Sequence, residues 1–420
     1  MTILGLKEAE VAQLVRAVTP DQPGIDLQEI EIRFARAAWG GIVEPGDSAA
    51  GRVIEAIGPV RALVALHEKW PVDRLVEECA GGVAPGEASS GIERWQPRLH
   101  LDASVLALRQ ATRYGVRFLV PGDPLWPEGV DDLQDHKPIG LWVRGTDDAC
   151  LSLSRSIALV GARAATGYGE HITMEASAGL VDRGYAIVSG AAYGIDGMAH
   201  RAALASHGQT IAFLAGGVDR FYPSGHDALL NRIVERGAVI SELPCGASPT
   251  RWRFLQRNRL IAASSLATIV LEAGWRSGSL NTAGHAGDLG RPLGAVPGPV
   301  TSAASAGCHK LIREFNAICV TNADEMAELA PLPAAPASGA PEGDSGGLDH
   351  TAEARVREAL STHAPRSAAE LAARAGLSVA DVTAQLGGME LEGTVRERNR
   401  GWLAVAPEKS ASSGEPEEEI

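Results

Sequence analysis

The residues best suited to chemistry in this sequence are arginines, glycines and hydroxyl-bearing residues that follow short apolar segments. The first group, residues 161–167 (GARAATG), lies between an apolar segment and a helical one. Backbone N–H groups at a helix start favour an anion, and Arg163 adds a charged fork. The spacing is not G-x-G-x-x-G, and no Lys-Ser/Thr follows as in a P-loop. The group predicts a phosphate-binding loop, with a plain tight turn as the alternative.

A second group starts with Ser189 and Gly190 and ends at Asp196, again between an apolar segment and a helical one. Asp196 and His200 are four residues apart, so they could share a metal on one helix face. No third ligand lies nearby in the sequence. A helix cap by Asp196 is therefore the stronger interpretation, and we expect no metal.

Residues 251–259 form a third group, which contains four arginines in nine residues. No acidic residue occurs from 251 to 271. The arginines are Arg251, Arg253, Arg257 and Arg259. Asn258 stands between the last two. A solvated helix face usually mixes in acids, so this pattern favours phosphate binding. Trp252 and Phe254 could stack bases between these arginines, or they could belong to the core.

Two more groups complete the set. Ser277, Gly278 and Ser279 open a further helical segment, where hydroxyls and N–H groups suit phosphate oxygens, and they do not form a G-x-S-x-G elbow. Lys310 could join the anion site. Cys308 precedes His309 directly, and adjacent residues rarely orient on each other as a nucleophile and its base. We therefore expect no catalytic residue and no cofactor.

The elements that must position these groups alternate along the middle of the chain. Short apolar segments at 156–160, 186–189, 210–215, 238–241, 268–272 and 293–296 are separated by helical stretches. Glycine follows four of those helical stretches, where a left-handed residue closes the last turn. Strands that are apolar on both faces need helices on both sides. The pattern predicts an α/β fold, an extended Rossmann-like doubly wound parallel sheet, with all five groups at one edge.

Other units are expected on either side of this core. Residues 1–110 read as a small helical domain, in which Ile57-Gly58-Pro59-Val60 is either a DNA-binding helix-hairpin-helix turn or a turn between packed helices. The core is expected at 111–330, and a linker rich in Pro, Gly and Ala at 331–347. A helix-turn-helix pattern and two short strands predict a winged-helix domain at 348–406. The acidic segment 407–420 is expected to be disordered.

The charge of the chain does not exclude nucleic acid. Its net charge is −14, but residues 151–328 carry 15 basic and 14 acidic side chains, so the acidic excess lies in the flanks. Fourteen of those 15 basic residues are Arg, which suits bidentate phosphate contacts. The five scattered cysteines indicate a reducing compartment. No leader or membrane span is evident, so a cytoplasmic location is expected.

An ordered series of motifs resembles the DNA-processing protein A family (DprA/Smf) over residues 115–326. The motifs are V-G-A-R (160–163), S-G-A-A-Y-G-I-D (189–196), Y-P (222–223), S-E-L-P (241–244), R-N-R-L-I-A (257–262), V-L-E-A (270–273), S-G-S-L-N-T-A (277–283) and V-P-G (296–298). The resemblance implies a non-enzymatic protein of DNA uptake that binds and protects single-stranded DNA, loads RecA and forms homodimers.

The resemblance also assigns residues to these tasks. The DNA-binding set combines the motif positions with the basic and polar residues beside them: Arg163, Ser189, Gly190, Arg257, Asn258, Arg259, Ser277, Gly278, Ser279 and Lys310. Self-association and RecA contacts are expected at His309, Ile312 and Ile318. The chain departs from the family pattern at Tyr193, at 224–226 and at 315–316, which predicts weaker or more salt-sensitive binding.

The alternative function is a Rossmann-type nucleotide-binding enzyme or sensor related to phosphoribohydrolases. That class carries a P-G-G-x-G-T-x-x-E segment. The nearest stretch here, residues 215–219 (AGGVD), lacks the Gly-Thr and the Glu.

Overall fold

The structure, a computed structural model, describes residues 2–19, 24–332, 355–357, 359–361, 365–391, 394–398 and 401–404. The described residues up to 332 form one compact unit, and those from 355 onward form a second. Most of the predicted linker at 331–347 and the whole acidic tail at 407–420 lie outside the described residues. Among the helices described, none is long and apolar enough to cross a membrane.

Nine strands of the described chain form one sheet in the first unit, in the order β11-β10-β9-β5-β6-β7-β8-β4-β3. They are β3 (Arg117–Leu119), β4 (Leu141–Gly145), β5 (Ser156–Gly161), β6 (Ala186–Ser189), β7 (Thr210–Phe213), β8 (Ala238–Ser241), β9 (Ala267–Glu272), β10 (Leu293–Ala295) and β11 (Ile318–Cys319). A separate two-stranded ribbon pairs β1 (Thr2–Ile3) with β2 (Leu6–Lys7).

The predicted α/β fold with a mostly parallel sheet is confirmed, with one correction at an edge. The seven strands from β11 to β8 pair in parallel. By contrast, β4 runs antiparallel to both β8 and β3. Periodicity along the chain shows that 117–119 and 141–145 are extended, but strand direction depends on which neighbour they meet. The sheet is therefore mixed rather than wholly parallel.

Helices follow the strands closely. They are α8 (Asp147–Leu151), α9 (Gly167–Asp182), α10 (Ile195–Ala205), α11 (Asp227–Arg236), α12 (Arg251–Ala263), α13 (Ser279–Asp288), α14 (Ala306–Glu314) and α15 (Ala323–Glu328). Strand residues alternate between two cores: Ile157 packs with α9, α10 and α15, whereas Ala158 packs with α8, α12, α13 and α14. Helices thus cover both faces of the sheet, as predicted.

The glycines after the helices act in two ways. Gly184 and Gly290 adopt positive φ values of 85° and 65°, as expected for a helix end. After α10 it is His207 that takes the positive φ. Gly237 has a negative φ of −142° instead, and a glycine is required there because a Cβ would lie 2.1 Å from the carbonyl oxygen of Thr210.

The N-terminal segment is helical, as expected. Its helices are α1 (Glu8–Ala17), α2 (Leu27–Ile42), α3 (Ser48–Ile57), α4 (Pro59–His67), α5 (Val72–Glu78), α6 (Pro85–Trp95) and α7 (Leu101–Arg113). Residues of α1, α2 and α7 share a core with β4, β7, β8 and α11. The boundary at 110/111 therefore stays a prediction, since the packing is continuous across it. Gly58, with φ 79°, joins α3 to α4.

The second unit contains α16 (Ala368–Ala375), α17 (Val379–Leu391), β12 (Val395–Arg398) and β13 (Gly401–Ala404). Ser367 and Glu370 form a reciprocal capping box at the start of α16, and Gly376 ends that helix in the left-handed conformation. The two strands pair antiparallel. This arrangement of two helices and a β-ribbon agrees with the predicted winged helix.

Candidate nucleic-acid interface

A cavity of about 960 Å³ lies at the carboxyl edge of the parallel strands. Its walls come from the loop after β5, the start of α10, the first turns of α12 and the loop from β9 into α13. Open α/β sheets bind ligands at this edge because the βα loops and helix N-termini meet there. Four of the five predicted groups contribute to the cavity, and the fifth does not.

A buried carboxylate holds the first loop in place. Glu272, at the end of β9, accepts hydrogen bonds from the backbone N–H (2.9 Å) and the hydroxyl (2.6 Å) of Thr166. The amide of Ala162 in turn donates to the carbonyl of Glu272 at 2.7 Å. Thr166 also caps α9 by accepting from Gly169. Glu272 therefore fixes the loop that carries Arg163, a role that the sequence pattern did not reveal.

The arginine at the base of the cavity is buried. Arg257 Nη1 donates to the carbonyl oxygens of Gly190 (2.7 Å) and Phe213, and Nε donates to Asn258 Oδ1 at 3.2 Å. Burial lowers its pKa to about 10, although the charge of Asp196 acts in the opposite direction. At that pKa the guanidinium remains charged at neutral pH. Arg257 thus places a fixed positive charge under the cavity.

Asp196 has a different role from the predicted helix cap. The N-cap of α10 is Gly194, and its cap position makes no side-chain hydrogen bond. Burial raises the pKa of Asp196. The charge of Arg257 and hydrogen bonds from the backbone N–H groups of Ala192, Gly190 and Gly161 oppose that rise in pKa. Asp196 therefore ties the loop ends together and partly balances Arg257.

A metal site with His200 is not present in the part of the chain that the structure describes. His200 is buried, and its Nδ1 lies 2.7 Å from the hydroxyl of Thr210. That hydroxyl donates to the carbonyl of Ile187, so His200 is the donor at Nδ1. Burial lowers the pKa of His200 to about 3. It is a neutral core residue.

Aromatic rings form one wall of the cavity. The guanidinium of Arg163 lies 5.2 Å from the ring centroid of Phe254, and that of Arg257 lies 5.8 Å from it. Tyr222 packs against the same ring at 5.6 Å and is 54% exposed. Phe254 is thus both a packing residue and part of the wall. Its neighbour Tyr222 offers an open face to a flat ligand.

The start of α13 forms another wall of the cavity. Ser277 and Ser279 share a hydrogen bond between their hydroxyls at 2.8 Å, and both line the cavity with Gly278. Asn258 of α12 donates to Asn281 of α13 at 3.1 Å. These groups offer hydroxyls and amides to phosphate oxygens, as predicted. Their contact with DNA stays a prediction.

Three residues of the predicted DNA-binding set support the site from behind. Ser189 is fully buried and donates to the carbonyl of Leu159 at 2.6 Å. Gly190 makes room for the buried arginine, since a Cβ there would lie 2.5 Å from Nη2 of Arg257. Arg259 is buried, and its Nη2 donates to both carboxylate oxygens of Glu242 at 2.8 and 2.9 Å. None of the three lines the cavity, so their contact with DNA stays a prediction.

The fifth predicted group lies elsewhere. Lys310 Nζ lies 5.1 Å from the ring centroid of Trp275 and 5.4 Å from that of Phe315. Lys310 does not line the cavity. Its neighbour Cys308 is buried, and burial raises the pKa of that thiol to about 12. This opposes a nucleophilic role.

Several cavity residues were absent from the predicted set, although a signal existed for some of them. Arg276 directly precedes the predicted Ser277, and Arg251 belongs to the arginine-rich stretch. Both are exposed and line the cavity. Tyr222 lines it too, but nothing in the sequence shows that the segment after β7 reaches α12. In all, four arginines and one acid, the buried Asp196, line the cavity.

Comparisons with known proteins identify the family of this chain. Residues 117–331 match the family model for DNA recombination-mediator protein A, and residues 330–399 match that of the DprA winged helix domain. The chain is 42% identical over 356 residues to a Mycobacterium tuberculosis protein that carries the name DNA processing protein DprA, covering 79% of this chain and 91% of that protein. The chain belongs to the DprA/Smf family of DNA-processing proteins.

Further members are similar at the level of sequence and fold. Protein Smf of Escherichia coli K12 is 34% identical over 316 residues, covering 74% of this chain and 80% of that protein. The X-ray structure of DprA from Streptococcus pneumoniae superposes with a TM-score of 0.56 at 27% identity, covering 72% of this chain and 99% of that one. The predicted family is confirmed. By contrast, the AGGVD stretch of the phosphoribohydrolase alternative does not line the cavity.

Proposed function

We propose that this DprA/Smf protein is a recombination mediator that binds single-stranded DNA in the cavity. The proposal rests on the lining of the cavity. Four arginines and the exposed ring of Tyr222 line it, together with a single acidic residue, which is buried. Unpaired bases expose their π-faces to aromatic side chains, and guanidinium groups hold the phosphates between them. A duplex hides those faces. The arrangement therefore favours a single strand over a duplex.

The test is a comparison of the purified chain on labelled oligo-dT and on a duplex of equal length, by fluorescence anisotropy. Tighter binding to the single strand is expected. Equal or tighter binding to the duplex would contradict the proposal. A parallel incubation with nucleoside monophosphates, followed by an assay for released base, addresses the enzymatic alternative. Turnover there would favour that alternative.

Self-association is proposed at the edge of the sheet formed by β11. In the described chain β11 pairs with β10 on one side only, and an exposed edge strand is a template for pairing with a second chain. Ile318 on β11 and Phe315 just before it are exposed apolar residues. Ile312 is half-buried beside them, and His309 Nε2 lies 3.0 Å from the carbonyl oxygen of Gly298.

This edge is tested by the mass of the protein in solution. We expect a homodimer by light scattering and a monomer after Ile318→Asp. The matched control is Leu106→Asp, because Leu106 is equally exposed on α7, in the N-terminal helices. A dimer that survives Ile318→Asp would exclude this edge.

Delivery of RecA is supported by the recombination-mediator family model that residues 117–331 match. The assay is the ATPase activity of RecA on single-stranded DNA that a single-strand-binding protein already covers. We expect the chain to shorten the lag before RecA activity begins. A lag that does not change over a range of concentrations at which the chain is bound to the strand would refute the mediator role.

A further inference from the structure

Helix α12 presents two faces to two different spaces. Arg251, Phe254 and Asn258 recur at helical spacing and line the cavity described above. Trp252 and Gln256 lie one turn apart on another side of the helix, and they line a second groove of about 400 Å³. The same helix therefore forms a wall of both spaces.

The N-terminal helices supply the remaining walls of this groove. Residues 42–48, from the end of α2 to the first residue of α3, line one side. The end of α6 with the turn after it contributes Arg94, Trp95 and Arg98. The groove therefore lies between the N-terminal helices and α12, within the first unit. The proposed function of the cavity gives no role to these N-terminal residues.

Trp252 is the exposed feature of the groove. It is 57% exposed, whereas the other tryptophan of the groove, Trp95, is buried and donates from Nε1 to Asp47 at 2.9 Å. An indole that remains in water contributes little to the core. An open aromatic face beside a groove is instead suited to stacking a flat ligand.

The charges around Trp252 tolerate an anion. Arg98 and Arg253 both donate to Glu44, each at 2.8 Å at the closest approach, and Arg94 lies 3.2 Å from Asp47. Burial pushes the pKa of Glu44 upward, but the hydrogen bonds and charges of the two arginines outweigh it and lower that pKa. Two arginines and two carboxylates line the groove, and Arg253 adds a third arginine that pairs with Glu44 from outside the lining. Three positive and two negative charges leave a formal charge of +1 beside Trp252.

The groove lies next to the cavity along α12. Thr250 and Arg251 line the cavity, and the next residue, Trp252, lines the groove. The distance across a helix with its side chains is about 10–12 Å. Stacked DNA advances about 3.4 Å per nucleotide along one strand. A strand leaving the cavity over the first turn of α12 would reach Trp252 within a few nucleotides.

We propose that this groove is a second subsite for the same DNA strand, in which an unpaired base stacks on Trp252 and Arg94 and Arg98 face the adjoining phosphates. The inference rests on the proposed function of the cavity and extends it to the N-terminal helices. Short oligonucleotides would fill the cavity alone. Longer ones would engage both subsites, so the contribution of Trp252 depends on length.

The experiment compares dT3, which is too short to fill the cavity and also cross the width of α12, about 10–12 Å, with dT20 by fluorescence anisotropy. We expect Trp252→Ala to weaken binding of dT20 about tenfold, within the range for one stacked base, and to leave dT3 unchanged. Trp252→Phe keeps an aromatic face and should restore most of the affinity. Tyr114→Ala is the control, because Tyr114 is an exposed aromatic residue that lines neither space.

Two outcomes would overturn the second subsite. One is unchanged binding of dT20 by Trp252→Ala, and the other is an equal loss on both lengths. Thermal unfolding of each variant checks that the protein remains folded, and an unchanged melting temperature is expected because Trp252 and Tyr114 are exposed. If the unaltered protein binds neither oligonucleotide, the proposed function of the cavity fails instead. The two failures are therefore distinguishable.

Discussion

The exposed arginines of the cavity should set how steeply DNA binding weakens as salt is added. Arg163, Arg251 and Arg276 are exposed and line the cavity, whereas the fourth arginine is buried and already hydrogen-bonded. Each phosphate contact on a single strand releases counterions, which contributes about 0.7 to the slope of log K against log salt. Replacing one of these arginines by Ala should flatten the slope by that amount.

The expected magnitude follows from the same relation. Between 50 and 200 mM salt, the advantage of the unaltered protein over Arg163→Ala should shrink by about 2.6-fold, and over the triple alanine variant by about 20-fold. Arg163 also faces the ring of Phe254. Its replacement should therefore cost some affinity that does not depend on salt.

The assay is fluorescence anisotropy with oligo-dT at three or four salt concentrations. Arg61→Ala is the matched control, because Arg61 is an exposed arginine on α4 that pairs with Glu78 at 2.7 Å outside the cavity. Its slope should equal that of the unaltered protein. If the folded triple variant also keeps the original slope, the phosphates are not held by these arginines, and the reasoning from the cavity is wrong.

Three further predictions concern stability and the second unit. Arg259→Met should lower the free energy of unfolding by about 3–5 kcal/mol, because it leaves Glu242 as a buried unpaired carboxylate. Urea denaturation measures this free energy. A variant that loses DNA affinity but no stability would contradict the structural role of Arg259. His200 has a pKa of about 3 when folded and an ordinary value of 6.5, so the unfolded chain binds the extra proton between those values. Its contribution to stability is full above pH 6.5 and is lost as the pH falls, by about 2 kcal/mol at pH 5; His200→Gln should remove this dependence and exposed His171→Gln should not. Deleting residues 334–420 should leave affinity for oligo-dT within about twofold, because the cavity is lined entirely by the first unit; a collapse of binding by the folded truncated chain would refute this.

The sequence alone determined the elements and the edge at which they act. The helical stretch predicted between the apolar segments at 268–272 and 293–296 occurs at Ser279–Asp288, and the alternation of apolar segments with helices indicated the parallel part of the sheet. Helix periodicity and helix ends are local properties, so single-chain patterns predict them. Parallel strands place all their βα loops at one edge. The sequence therefore assigns Arg163 and Ser277 to one space, and both line the cavity.

Only the tertiary structure decided which side chains of a group face that space. Arg257 and Arg259 are two residues apart on α12, about 200° around the helix axis, and one lies beneath the cavity while the other pairs with Glu242 behind it. The neighbouring Trp252 likewise lines a second groove. The sequence shows the angle between these side chains, but the direction of each is set by how α12 packs against the sheet, α13 and residues 128–136. That packing depends on contacts between residues far apart in the chain, which local patterns do not encode.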